Sequence, residues 1–259
     1  RNMRPEMLGA QLIDELINRY DISQVDGIFC GNAVGTGGNI GRLMGLMTNL
    51  PNSVPAITVD MQCASALMSI EMAYAHIASG VMDSAIAGGI ESSSLQPDRM
   101  YAAGDDREGL YKVAQFSPQD CSPLAMLEGA ERTIQKHNVL KEDLYPYIIG
   151  SHKRASEALN NPHLKSYIMP ITIDGKACVD ECIRPKMNEK LLSRMKPLLG
   201  PNAITNAGNA CLTHDGAAFV YVSNEKGPFR IHSVMPWAGN PQFSPEGALE
   251  STEEILKRT

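Results

Sequence analysis

A single stretch, residues 57–70, constrains the fold of this chain more than any other. A β-branched run from Ile57 to Val59 ends at Asp60, and small or apolar residues then follow from about Cys63 onward. Strand-forming residues directly before such a run predict a strand, a tight turn and a helix. Because the helix is apolar nearly all round, we expect it to be buried.

This arrangement predicts that Cys63 lies at or just before the N-terminus of a helix. Unpaired N–H groups and the helix dipole favour an anion there, so the pKa of the Cys63 thiol is expected to fall. The small neighbours Ala64, Ser65 and Ala66 leave room for a substrate carbonyl. The alternative is that Cys63 is a buried, inert cysteine, and spacing alone leaves both readings open.

The flanking segments predict alternating helices and strands. Helical spacing runs from Pro5 to about Tyr20, and buried strands are predicted over 25–32, before Cys63, and over 83–89. This alternation is typical of a parallel sheet with crossover helices. From residue 92 the chain is more polar, with charged helices, one of them over 141–159 and interrupted near Pro146. A buried strand over 216–222, a hairpin partner over 229–234 and a helix from Ser244 follow.

Composition excludes several classes of protein. The chain has 259 residues, 43% hydrophobic and 20% charged, as in ordinary globular proteins. No run approaches the roughly 20 apolar residues of a membrane span, so no membrane partner is expected. The net charge of −6 without a basic cluster argues against nucleic acid. Six cysteines are too few for a disulfide framework, and reduced thiols in a cytoplasmic protein fit better.

Three further motifs complete a family pattern around Cys63. They are Cys30-Gly31-Asn32, the run from Ala85 to Ser92, and Asn206-Ala207-Gly208-Asn209-Ala210-Cys211. Together with the Cys63 turn, they resemble the thiolase family of acetyl-CoA acyltransferases over essentially the whole chain. The resemblance implies an α/β sheet domain carrying the nucleophile over residues 1–91 and an inserted, CoA-binding loop domain over 92–203. Residues 204–259 would begin a second half, of which the first hairpin and one helix are present.

The resemblance also implies functional residues. Cys63 would take an acyl group as a thioester, and its own N–H would donate to the developing oxyanion. Arg184 would lie against the adenine end of coenzyme A, although an ion pair with Asp180 or Glu181 is an alternative. Ala207 would also contact coenzyme A, and Cys211 stands where many thiolases have a serine that hydrogen-bonds the pantetheine arm, although a thiol is a weaker donor than a hydroxyl. Coenzyme A thioesters are the expected substrate, and no separate cofactor is expected.

Several expectations concern departures and other ligands. Asp120-Cys121 stands where biosynthetic thiolases usually have His-Met. The acyl preference of those enzymes is therefore not carried over to this chain. The glycines of residues 35–38 lack the Lys-Ser/Thr of a phosphate loop, which argues against that reading. Cys178 and Cys182 suggest zinc only weakly, since no second ligand pair accompanies them, and no metal is expected. His214 is expected to be a surface or structural histidine.

The family's general-base histidine, second cysteine and Asn-Glu segment are not found. The chain alone is therefore expected to give no more than trace turnover, with Claisen condensation and thiolysis both open as directions. The family's first strand, which lies in mid-sheet, is also missing before Arg1. A parallel sheet without it would leave unpaired backbone groups and exposed apolar surface, so we expect the sequence to be part of a longer protein. The alternatives are a non-catalytic CoA- or acyl-binding protein on a degenerate scaffold, or a ketoacyl synthase. The resemblance also implies a role in fatty acid metabolism. It implies a homodimer or tetramer as well, and the strand over 56–59 is a candidate for pairing with the same strand of a second chain.

Overall fold

The computed structural model describes residues 3–35, 37–115, 117–118 and 122–259. Contacts divide the chain into two compact units, Arg1–Asp98 with Thr213–Pro236, and Arg99–Leu212 with Trp237–Thr259. The boundaries at residues 91 and 203 that the family resemblance implies stay a prediction.

The elements of the described chain alternate first and then become mainly helical. In chain order they are α1 (Pro5–Arg19), β1 (Ile28–Gly31), α2 (Ile40–Leu46), β2 (Ala56–Val59), α3 (Ser65–Ala78), β3 (Ser84–Ser92), β4 (Arg99–Tyr101), β5 (Gly109–Tyr111), α4 (Ala125–Lys136), α5 (Lys141–Ala158), α6 (Pro162–Lys165), β6 (Thr172–Ile173), β7 (Lys176–Ala177), α7 (Glu189–Leu192), β8 (Asp215–Ser223) and α8 (Glu246–Arg258). Short 3-10 turns lie at Ser93–Leu95 and Pro241–Phe243.

The first unit is built on a four-stranded sheet with the order β2-β1-β3-β8. β1 pairs in parallel with both β2 and β3, which confirms the predicted crossover topology. β8 pairs antiparallel with β3 along its whole length, from Ser84 opposite Ser223 to Ser92 opposite Asp215. β1 and β3 are direct neighbours in this sheet, with Ile28 opposite Ile86 and Gly31 opposite Gly89.

Helices cover both faces of this sheet because its strands alternate their side chains between two apolar cores. On one face Ile28 and Ile86 pack with Ile13 of α1 and Met44 of α2. On the other face Phe29, Ala85 and Ala87 pack with Ala73 of α3. The sheet is therefore the middle of three layers, and the strand ends that precede α2 and α3 lie at one edge of it.

The expectation that α3 is buried holds for one face of the helix only. Its buried residues are Ser65, Ser69 and Ala73, which recur every fourth position and so share one face. That face is made of small residues and packs on the sheet, whereas Leu67 on the other side is 69% exposed. An apolar sequence predicted burial, but the sheet of this chain covers one side of the helix only.

Two further local predictions are wrong. Residues 229–234 form no strand and Phe229 is 85% exposed, although β8 lies at the edge of the sheet with β3 on one side of it. Helix α5 continues through Pro146 without a break. A proline at the sixth helical position costs one backbone hydrogen bond, and the packing of its neighbour Tyr145 against Met187 and Leu192 offsets that loss.

The second unit is mainly helical, with two short antiparallel hairpins, β4-β5 and β6-β7, that the sequence did not predict. Within it, α8 is tied to α4 by Glu246, which accepts hydrogen bonds from Lys136 Nζ at 2.9 Å and His137 Nε2 at 2.6 Å. Over the described residues, no helix combines the length and apolar character needed to cross a bilayer.

Candidate active site

Two glycines allow α3 to begin close to the ends of β1 and β3. A Cβ on Gly31 would lie 2.5 Å from Ala66 N and from the Ser65 carbonyl carbon, closer than real Cβ contacts. A Cβ on Gly89 would lie 3.0 Å from Ala66 Cβ. The glycines therefore bring the first turn of α3 onto the strand ends, which is the edge where α/β folds place their sites.

The turn between β2 and α3 is fixed by hydrogen bonds of its own residues. Ser65 Oγ accepts from Met61 N at 2.8 Å and donates to the Gln62 carbonyl at 2.6 Å, and Asp60 Oδ1 accepts from Gln62 N at 2.9 Å. Gln62 has φ of 51°, a left-handed conformation that is unfavourable for residues other than glycine. The backbone is thus held in a sharp bend immediately before Cys63.

Cys63 is exposed at this bend, two residues before the first residue of α3. The next two backbone N–H groups are used, since Ala64 donates to the Met61 carbonyl and Ser65 to the Gln62 carbonyl. The Cys63 backbone itself forms an isolated bridge with Met61. The site therefore offers an accessible thiol on a backbone bend that is fixed by its neighbours.

A second network fixes the loop after β1. Asn32 Nδ2 donates to the Ile90 carbonyl at 2.8 Å and to Glu91 Oε1 at 3.0 Å. Glu91 Oε2 accepts from the backbone N–H groups of Ala33 and Val34, each at 2.9 Å. The motif residues at the ends of β1 and β3 therefore hold each other, a contact that the sequence did not predict.

The described thiols differ in environment. Cys30 is fully buried, and burial, together with the nearby charge of Glu91, raises the pKa of its thiol to about 12. Cys63, Cys178 and Cys211 are exposed. Cys30 is therefore inert at neutral pH, which leaves the exposed cysteines as the candidates for a reactive thiol.

The three residues expected to contact coenzyme A all belong to the second unit, and Cys63 belongs to the first. Arg184 is exposed and forms no ion pair with Asp180, Glu181 or any other described residue, so the alternative reading of Arg184 as an ion-pair residue is not observed. Its backbone N–H donates to His152 Nδ1 at 3.2 Å. Ala207 and Cys211 are exposed on one turn, and no hydrogen bond or ion pair of the described residues joins them to Arg184.

That turn is shaped by two asparagines. Asn206 Oδ1 accepts from Gly208 N at 2.8 Å, and Asn209 Oδ1 accepts from Asn206 N at 2.7 Å. Both side-chain amides donate to the Ile204 carbonyl, at 3.1 and 3.0 Å. Gly208 is required by close packing, since a Cβ there would lie 2.6 Å from Met195 Sδ. The asparagines therefore have a structural role that their motif alone did not reveal.

The other sequence candidates contribute less. Asp120-Cys121 lies outside the described residues. In the part of the chain that is described, no three His, Cys, Asp or Glu side chains are grouped as metal ligands. His214 is exposed, and its carbonyl accepts from Ser93 N.

Comparisons with known proteins agree with this architecture. Residues 1–226 match the model of the thiolase N-terminal domain. The chain belongs to the thiolase family. VraB of Staphylococcus epidermidis, a protein named as an acetyl-CoA C-acetyltransferase, is 32% identical over 100% of this chain and 71% of its own length. VraB of Staphylococcus aureus strain MW2 is 31% identical, over 100% of this chain and 72% of VraB.

A solved structure gives the same result for the fold. The crystal structure of the Bacillus anthracis acetyl-CoA acetyltransferase superposes with a TM-score of 0.76 at 24% identity, over 86% of this chain and 60% of that one. This thiolase-family chain thus has the α/β fold that its sequence predicted. The predicted enzyme class, a thiolase-type acyltransferase, is confirmed by the family match.

Proposed function

We propose that this chain transfers acyl groups from coenzyme A thioesters through a thioester on Cys63. The observation that carries the proposal is the exposed thiol of Cys63 on a hydrogen-bonded, left-handed bend at the start of α3. Cys30, the other thiol near this sheet edge, is buried and has a raised pKa. Cys63 is therefore the accessible nucleophile of the first unit.

The proposed step exchanges one thioester for another. The Cys63 thiolate attacks the carbonyl carbon of an acyl-CoA, and the carbonyl oxygen becomes an oxyanion to which the Cys63 N–H donates. Collapse of the intermediate breaks the bond to the CoA sulfur, which leaves as a thiolate and takes up the proton that Cys63 gave up. In a Claisen condensation, the α-carbon of a second acetyl-CoA loses a proton and takes the acyl group, and the bond to the Cys63 sulfur breaks. In the reverse, thiolytic direction, Cys63 attacks the 3-keto carbonyl of a 3-ketoacyl-CoA, acetyl-CoA leaves as its α-carbon takes up a proton, and free coenzyme A then accepts the acyl group.

The contacts with coenzyme A are part of the same proposal. The guanidinium of Arg184, which pairs with no carboxylate among the described residues, suits stacking on an adenine and pairing with phosphate. The exposed turn that carries Ala207 and Cys211 suits the pantetheine arm. A role in cytoplasmic fatty acid metabolism is likewise proposed, and it rests on the family resemblance.

Acetyl-CoA is expected to acetylate Cys63 in preference to every other thiol of the chain. The folded protein would be incubated with acetyl-CoA, trapped at low pH, digested and mapped by mass spectrometry. Unfolding the protein in urea beforehand serves as the control and should abolish the selectivity, because the bend that presents Cys63 is lost. An acetyl group on Cys211 or Cys178 with Cys63 unmodified would contradict the proposal. Coenzyme A binding without any transfer would favour a non-catalytic binding protein.

We also propose that the chain forms at least a homodimer through β2. This strand lies at the edge of the sheet, Ile57 on it is 43% exposed, and it carries no charge before Asp60. Thr58 is unsuitable for a test, because its hydroxyl donates to Asn39 Oδ1 and accepts from Gly41 N.

Ile57→Lys is therefore expected to convert the dimer to a monomer, since two lysines would meet across the twofold axis. Light scattering at micromolar concentration gives the mass of wild type and variant. Val81→Lys, at a 69% exposed apolar position of the same unit, is the matched control and should leave the dimer intact. A monomeric wild type would rule out the assembly, and a dimeric Ile57→Lys variant would rule out this strand.

A further inference from the structure

The second unit contains a buried carboxylate that the proposed chemistry does not use. Glu131 lies on α4 and is 7% exposed. Its oxygens accept from Ile204 N at 3.0 and 3.2 Å, from Thr205 N at 3.0 Å and from Thr205 Oγ1 at 2.6 Å. Thr205 is itself 4% exposed. Over the described residues no Lys, Arg or His forms an ion pair with Glu131, so hydrogen-bond donors compensate its charge.

The charge state of Glu131 agrees with this geometry. Burial alone would raise the pKa of the Glu131 carboxyl, but the hydrogen bonds from Thr205, Ile204 and Gln135 outweigh that effect and lower it. The carboxylate is therefore ionised at neutral pH and acts only as an acceptor. A buried anion held by backbone N–H groups fixes the segment that supplies those groups.

The segment that Glu131 holds leads directly into the turn that carries Ala207 and Cys211. Ile204 is held from both sides, since its N–H donates to Glu131 and its carbonyl accepts from the side-chain amides of Asn206 and Asn209. Asn206 in turn accepts from the N–H groups of Gly208, Asn209 and Ala210. One connected hydrogen-bond network thus runs from α4 to the exposed turn.

Other neighbours also hold this segment. Thr205 and Asn206 are buried, and the Thr205 carbonyl accepts from Leu198 N at 2.9 Å. Ala203, Ile204 and Asn206 border a cavity of about 350 Å³ in the second unit. Among the hydrogen-bond partners described for Ile204 and Thr205, Glu131 is the one that carries a charge, so its bonds are expected to be the strongest.

We infer that Glu131 is a positioning residue for coenzyme A, which sets the geometry of the pantetheine-contacting turn through Ile204 and Thr205. This inference rests on the proposed function, because that function assigns Ala207 and Cys211 to the substrate. Glu131 does not itself touch the substrate. Its removal affects substrate binding while the nucleophile in the first unit keeps its reactivity.

The test is a titration of the protein with coenzyme A by calorimetry, well below the unfolding temperature. Glu131→Gln places an amide donor against the Thr205 and Ile204 N–H groups and is expected to raise the Kd roughly tenfold or more. Thr205→Val, which loses one donor, should give a smaller rise, and Thr205→Ser should retain wild-type affinity. The rate of Cys63 alkylation by iodoacetamide should stay unchanged in all three variants.

Two further variants separate positioning from general destabilisation and from direct contact. Arg132 follows Glu131 directly in the sequence. The Arg132→Gln substitution removes the hydrogen bond that Arg132 Nε donates to the Gln242 carbonyl at 2.8 Å. It is expected to lower the unfolding temperature without changing the Kd. Arg184→Ala removes a proposed direct contact and should raise the Kd by roughly five- to thirtyfold.

The outcomes separate this inference from the proposed function. If the wild type binds coenzyme A and Glu131→Gln binds it equally well, the inference is overturned and the proposed function stands. A wild type that does not bind coenzyme A contradicts the proposed function itself. If Glu131→Gln does not fold, the inference is tested by comparing Thr205→Val with Thr205→Ser. Equal affinities of these two variants for coenzyme A would overturn it.

Discussion

Cys63→Ala is expected to abolish acyl transfer from acetyl-CoA. Without the sulfur no acyl-enzyme thioester forms, and losing a covalent nucleophile typically costs a factor on the order of 10⁴ to 10⁶ in rate. Release of free coenzyme A, followed with a thiol reagent in a rapid-mixing experiment, measures the effect. The wild type should release one equivalent per chain in a fast first phase, and the variant should release none.

The rate after this first phase tests the expectation of trace turnover. The acid–base groups for later steps are not found in the sequence, so the second phase should be slow. Cys178→Ala is the matched control, since Cys178 is also an exposed thiol and should not change the first phase. A fast phase that persists in Cys63→Ala would assign the nucleophile to another residue. Rapid steady turnover by the wild type would show that another group supplies the base.

Gly31→Ala is expected to destabilise the first unit and to slow alkylation of Cys63 together. The new Cβ would lie 2.5 Å from two backbone atoms of residues 65 and 66, so the start of α3 must move away from β1. Overpacking against backbone costs about 1 to 3 kcal/mol and occasionally more. The same shift would disturb the bonds of Ser65 Oγ to Met61 and Gln62 that shape the turn around Cys63.

Urea unfolding gives the change in stability, and iodoacetamide alkylation of the folded protein gives the change at Cys63. Gly216→Ala is the matched control, because Gly216 also lies in a strand of this sheet and a Cβ there would meet nothing within 4 Å. It should leave both quantities unchanged. Equal unfolding midpoints for Gly31→Ala and wild type would mean that α3 does not depend on the glycine contact.

The sequence by itself determined the family, the α/β class and the position of the nucleophile turn. Each of these depends on local chemistry: β-branched strands, small residues after Cys63, and proline or glycine at helix boundaries. Helix α1 illustrates this, since its apolar periodicity and Pro5 predicted its first residue, and the predicted end at Tyr20 lies one residue beyond the observed one. A strong local pattern is therefore sufficient to predict an element such as α1, because other conformations would disrupt that pattern.

Tertiary structure alone decided which surfaces are covered and which distant groups meet. The apolar sequence of α3 did not show that only its small-residue face would contact the sheet, leaving Leu67 exposed. Strand-like residues at 229–234 form no strand, although β8 lies at the edge of the sheet with β3 on one side of it. The partnership of Glu131 with Thr205 spans 74 residues, and no spacing in the sequence encodes it. Burial and long-range hydrogen bonds depend on how elements pack, which local sequence patterns do not determine.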